Sequence, residues 1–174
     1  MTTNGQGTTT GERADLLASL AKRRHFLRFT VRGLTDEQAR AQPTVSELCL
    51  GGIIKHVADV ESGWVDFILD GPSAMAHAGE SATGDWLARF LMLPGETLAD
   101  LLDRYEEIAG RTDGVVANLA DLDASHPLPE APWFEQGARW SARRVLLHII
   151  AETAQHAGHA DVIRESIDGS KTMG

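Results

Sequence analysis

Cysteine is nearly absent. Cys49 is the only one in 174 residues, which excludes an intrachain disulfide. Basic residues are also scarce: 16 Lys and Arg against 25 Asp and Glu leave a formal net charge of −9. That balance argues against nucleic acid, whose phosphates need a basic patch. The one basic cluster, Lys22, Arg23, Arg24, Arg28 and Arg32, reads as a solvated helix face. No stretch reaches the roughly 18 apolar residues needed to span a membrane. Met1 to Thr10 has neither the basic nor the apolar region of a signal peptide. The expected location is therefore cytoplasmic. Alternating β-branched runs are missing too, so strands are not expected.

Helical patterning fills the space these absences leave. Hydrophobic content of 43% and charged content of 24% are ordinary for a soluble globular protein. A chain this long can bury about 70% of its unfolded surface in one core. The first helical segment runs from about Gly11 to Arg32, marked by Leu16, Leu17, Leu20, Leu27 and Val31, with Thr9 and Glu12 at capping-box spacing. A short turn follows Thr35, with Gln38 completing a second capping box. The second long helix starts after Ser46 and stops near Gly71-Pro72. The third follows Pro94-Gly95 and carries Leu98, Leu101, Leu102, Tyr105, Ile108, Val115 and Val116. The fourth runs from Ser141, a good N-cap, to Asp168-Gly169. The expected fold is an all-α four-helix bundle with a long crossover, from Gly71 to Gly95, between helices 2 and 3. A crossover of that length allows helices 2 and 3 to run parallel. The expected organisation is a flexible tail over 1–10, one domain over 11–169 and a C-terminal tail over 170–174.

The most informative stretch is His148-Ile-Ile-Ala-Glu152-Thr-Ala-Gln-His156-Ala-Gly-His159. At helical pitch its four polar side chains fall within an arc of about 80° on one face. The flanking residues are mostly apolar or small, so the helix is packed. Three imidazoles and a carboxylate cannot all be buried there without partners. A divalent ion satisfies several at once, and the donors suit Zn²⁺, Ni²⁺ or Fe²⁺. Ligands at i and i+4 lie about 6 Å apart along the axis and can share one ion, whereas i and i+8 cannot. The helix therefore offers two ligands, from the pairs His148/Glu152, Glu152/His156 or His156/His159.

A third ligand must come from elsewhere. Ile53, His56, Val57, Val60, Trp64 and Phe67 recur at helical spacing, which puts His56 on a core-facing stripe. His25 among basic residues, His77 in a Gly/Ala-rich linker and His126 before Pro127 are weaker candidates. Trp133, Phe134 and Trp140 cluster before the last helix, where they can wall a pocket or plug the end of the bundle. Trp64 reads as core.

The Leu50-Gly-Gly-Ile-Ile-Lys-His56 run, Trp64, and the Glu152-x-x-x-His156-Ala-Gly-His159-Ala-Asp run resemble the DinB superfamily, over about Leu16 to Gly169. The nearest pattern is its actinobacterial branch, carried under a domain of unknown function. The resemblance implies a DinB/YfiT-like four-helix bundle with parallel helices 2 and 3, and a homodimer. The common pattern has a His-x-x-x-His pair on the last helix, and Glu152 stands where its first histidine would be. This departure resembles the mycothiol-dependent maleylpyruvate isomerases, in which a His, a Glu and a His bind zinc. The resemblance thus selects His56, Glu152 and His156 as ligands, with zinc as the expected ion and nickel or iron as alternatives. His148 and His159 become neighbours of the site.

Three protein ligands leave an open position, as in catalytic rather than structural sites. A water bound there could be deprotonated near neutral pH and attack a substrate, or a substrate thiol could be held there as a thiolate. The resemblance favours the second and implies a low-molecular-weight thiol such as mycothiol or bacillithiol. The resemblance implies a thiol S-transferase or isomerase-like enzyme acting on an electrophilic substrate. The isomerase reaction is not carried over, because a shared domain does not fix a substrate. Two other classes fit the residues. A metal-dependent hydrolase would use Glu47, Asp59 or His159 as base, and a non-catalytic dimeric bundle would show no thiol dependence. A Cys49 nucleophile near a helix N-terminus is a fourth reading.

Overall fold

The computed structural model describes residues 11–75 and 86–172. Four long helices form where the apolar periodicity places them. α1 spans Glu12–Thr30, α2 Asp36–Arg40 and α3 Leu50–Asp70. A 3-10 turn follows at Trp86–Phe90, then α4 at Leu98–Asn118 and α5 at Ala142–Asp168. The capping box at Thr35 and Gln38 is present with both of its hydrogen bonds. The Ser141 hydroxyl accepts from Arg144 N, and Gly169 ends α5 in the left-handed region at φ 77°.

Three local expectations change. Thr9 lies outside the described residues, and the N-cap of α1 is Gly11, whose φ of 64° suits glycine and which has no side chain to cap with. The Glu12 carboxylate instead pairs with Arg143 on α5. α3 starts later than expected, because Thr44 and Ser46 hydroxyls accept from the backbone of Ser46 and Leu48 and hold that stretch in turns. Its N-cap is Cys49, whose Sγ accepts from Gly52 N at 3.4 Å. A two-stranded antiparallel ribbon also forms, β1 Ser125–Pro127 with β2 Arg139–Ser141. At three residues each, these strands are too short to leave a period-2 signal.

Cross-helix contacts give the direction of every long helix. Asp59 pairs with Arg104 and Asp66 with Arg111, so α3 and α4 advance together and are parallel. Glu12 meets Arg143, and Arg164 donates to Thr30 O, so α1 and α5 are parallel as well. Trp64 meets His148 while His56 meets His156, so α3 and α5 are antiparallel. Parallel neighbours of about 30 Å cannot be joined by a tight turn, and the segment between Gly71 and Thr97 supplies the crossover. Beyond α5, Thr172 turns back and donates twice to Asp161.

The core is two apolar clusters separated by a polar layer. One holds Leu27, Ile53, Val57, Leu101, Tyr105 and Ile163. The other holds Leu20, Trp64, Phe67, Val116, Val145 and Ile149. Between them each long helix contributes buried polar groups: Arg24, Glu61, Thr112, Thr153 and His156. Arg24 is therefore not on a solvated face. It is 5% exposed, and it donates to both oxygens of the fully buried Glu61, at 2.6 and 3.1 Å. The helical period rotates it inward while Lys22 and His25 stay exposed.

Candidate metal centre

α3 and α5 bring three donors to one place in that layer. One ligand atom each from His56, Glu152 and His156 lies within 4.8 Å of the others. His56 and His156 rings meet edge-on, with centroids 4.8 Å apart at 69°. Glu152 Oε2 lies 3.5 Å from His156 Nε2. Glu152 and His156 are one turn apart on α5, and the antiparallel α3 presents His56 from across the interface.

The charge states fit coordination. Burial, reinforced by His156, pushes His56 down to about 4, so it is neutral at pH 7. The hydrogen bond from His156 holds the Glu152 carboxyl below its usual range, so it is ionised. His156 is 8% exposed, and its Nδ1 is buried with no hydrogen-bond partner among the described residues. Two imidazoles and a carboxylate, one imidazole left under-satisfied, match what a borderline divalent ion takes. With Glu152 and His148 about a quarter to a third exposed, the site opens to solvent on the Glu152 side.

The other candidates separate cleanly. His148 Nε2 lies 3.9 Å from Glu152 Oε1, and its ring meets Trp64 and Trp140 edge-on. His159 is exposed, with its ring 5.4 Å from that of His156. Trp140 stacks on Trp64 at 4.9 Å, and Phe134 packs edge-on to both. Trp133 is 77% exposed beside Phe134. Asp59 is paired with Arg104, and Glu47 is exposed. Cys49 is fully buried, and its Sγ accepts from Gly52 N and Met92 N. His25 stacks on Phe29 and His126 packs on Phe67, both away from the cluster, and His77 lies outside the described residues.

Sequence reasoning missed Phe90 and its support. The Phe90 ring lies 4.1 Å from the His56 ring, and neighbouring Arg89 bears electrostatically on His56. Phe90 sits there because two glycines let the crossover press onto α3. A Cβ on Gly52 would stand 1.8 Å from Phe90 O, and one on Gly51 would stand 2.5 Å from Met92 Sδ. The Gly-Gly pair was the visible signal, but nothing in the sequence names the segment that crosses it.

The fold and the cluster together define a four-helix bundle with a His/His/Glu site of metal-binding type between α3 and α5. Residues 15–169 match the sequence model of the family described as mycothiol S-transferase, and the chain belongs to that family. Two solved structures share the fold. A conserved protein from Enterococcus faecalis superposes with a TM-score of 0.70 at 12% identity, covering 93% of this chain and 100% of its own. YfiT from Bacillus subtilis, described as a probable metal-dependent hydrolase with an unusual four-helix bundle topology, superposes with a TM-score of 0.68 at 12% identity, covering 95% and 93%. No curated protein matches the chain.

Proposed function

We propose that this protein is a metal-dependent thiol S-transferase whose ion is held by His56, Glu152 and His156. The observation that carries the reading is the convergence of those three donors within 4.8 Å, in a chain of the mycothiol S-transferase family. A divalent ion bound there would lower the pKa of a coordinated thiol and keep it as the nucleophilic thiolate. Zinc suits the donor set, and nickel and iron are the alternatives.

The chain's own residues do the rest. His56 is kept neutral by burial and so has a lone pair to give at pH 7. Glu152 brings the one negative charge that partly balances the ion. Phe90 packs on the His56 ring and fixes its orientation from that side. The Glu152 and His148 edge is where a thiol and an electrophile would enter. The same reading implies a cytoplasmic protein, where such thiols stay reduced, and, by family resemblance, a homodimer.

The test is turnover of an electrophile by the zinc-loaded protein with and without a mycothiol-type thiol. Thiol-dependent conjugation, abolished in His56→Ala, supports the reading. A second reading, hydrolysis, draws on the description given to the structurally similar YfiT. It predicts turnover without added thiol.

A further inference from the structure

His148 is the fourth polar group on the α5 face, and the ligand set does not use it. Its position relative to Glu152 is specific. The two Glu152 oxygens face opposite ways along the helix: Oε2 lies 3.5 Å from His156 Nε2, and Oε1 lies 3.9 Å from His148 Nε2. The His148 ring is itself fixed by two other elements. Trp64 of α3 meets it at 5.0 Å and 73°, and Trp140 of β2 meets it at 5.2 Å and 63°. Those two indoles stack on each other at 15°. A residue that only packed against the tryptophans would need no ring nitrogen on the Glu152 side. His159 makes no comparable approach to Glu152 and is exposed.

We propose that His148 is a positioning residue for Glu152: its Nε2–H holds Oε1, which leaves Oε2 turned toward His156 and His56 for the ion. The two atoms stand 3.9 Å apart, beyond hydrogen-bond length, so the proposed contact requires the side chains to draw closer when the ion binds. Groups that orient a metal-ligating carboxylate in this way raise affinity by about 10–100-fold. The inference rests on the metal reading given above.

Zinc affinity of the full chain, measured by competition with a chromophoric chelator, tests it. His148→Phe keeps a ring against the two stacked tryptophans and removes the donor. His148→Gln restores an N–H at nearly the same reach. The expected result is about 10–100-fold weaker binding in His148→Phe, largely recovered in His148→Gln. If His148→Phe proves unfolded by circular dichroism, His148→Leu serves as the donor-less variant. Equal affinity in the folded donor-less variant and the parent would overturn the inference. So would a His148→Gln as weak as the donor-less variant, because packing alone would then account for the loss. A parent protein that binds no zinc overturns the metal reading itself, which is a distinct outcome.

Discussion

His56 on α3 and His156 on α5 face each other edge-on, 4.8 Å between ring centroids, although one helix comes early in the chain and the other ends it. That approach exists because α3 and α5 are antiparallel across the polar layer. It places two neutral-capable nitrogens and the Glu152 carboxylate within reach of one ion.

The Phe90 contact on His56 depends on Gly52. In Gly52→Ala a Cβ would collide with backbone at Phe90 O, which cannot yield as a flexible side chain can. Overpacking of this kind costs about 1–3 kcal/mol. Gly110→Ala is the control: nothing lies within 4 Å of its Cβ position in the exposed middle of α4. Replacing a helical glycine there should gain about 0.5–1 kcal/mol. Urea denaturation of both variants should give shifts of opposite sign.

The Arg24–Glu61 pair crosses the core from α1 to α3 and cannot be broken cheaply. Arg24→Met leaves a fully buried carboxylate without its bidentate partner and should cost about 3–5 kcal/mol. The double change Arg24→Met with Glu61→Leu should recover most of that loss, because the desolvated charge goes as well. Thermal melts of the two variants decide this. A double variant no better than the single would contradict it.

Stability should fall with acid in a window set by His56. Its folded pKa is about 4, against 6.5 unperturbed, so the unfolded chain binds more protons between those values. The His56 contribution is fully present above about 6.5, declines as pH drops through the window, and levels below about 4. His148 acts in the same direction. Glu12, Glu152 and Asp168 are held below the ordinary carboxylate range by their hydrogen bonds to Arg143, His156 and Arg164, so their losses begin only as pH falls into that range. Denaturation of chelator-treated protein from pH 8 to 4.5 should show the slope, and His56→Gln should flatten it.

Cys49 should be inert in the native protein. It is 0% exposed and its sulfur caps α3. A thiol-specific chromogenic reagent should leave it unmodified until denaturant is added. Cys49→Ala should retain thiol-dependent turnover. Fast native modification would contradict its placement.

The four long helices were legible because their apolar residues repeat at helical spacing and Ser141, Thr35 and Gly169 mark boundaries by known chemistry. The cluster was legible in part: spacing on α5 restricted which pairs could share an ion, and the stripe on α3 turned His56 inward. The rest needed three dimensions. The inward turn of Arg24 was hidden because its neighbours Lys22, Arg23 and Arg28 share its charge, and only the position of Glu61 on another helix shows why it is buried. Phe90 was hidden because its partner, the glycine pair at 51 and 52, lies far off in sequence and acts by having no side chain. The β1–β2 ribbon was hidden because three residues carry too little pattern.

The proposed function stands on a divalent ion held by His56, Glu152 and His156. Metal content by mass spectrometry, on protein purified without a histidine tag and beside a His156→Ala variant, tests it most directly. The account predicts a near-stoichiometric ion in the parent and its loss in the variant. Little metal in either, even after reconstitution with zinc or nickel, would contradict it.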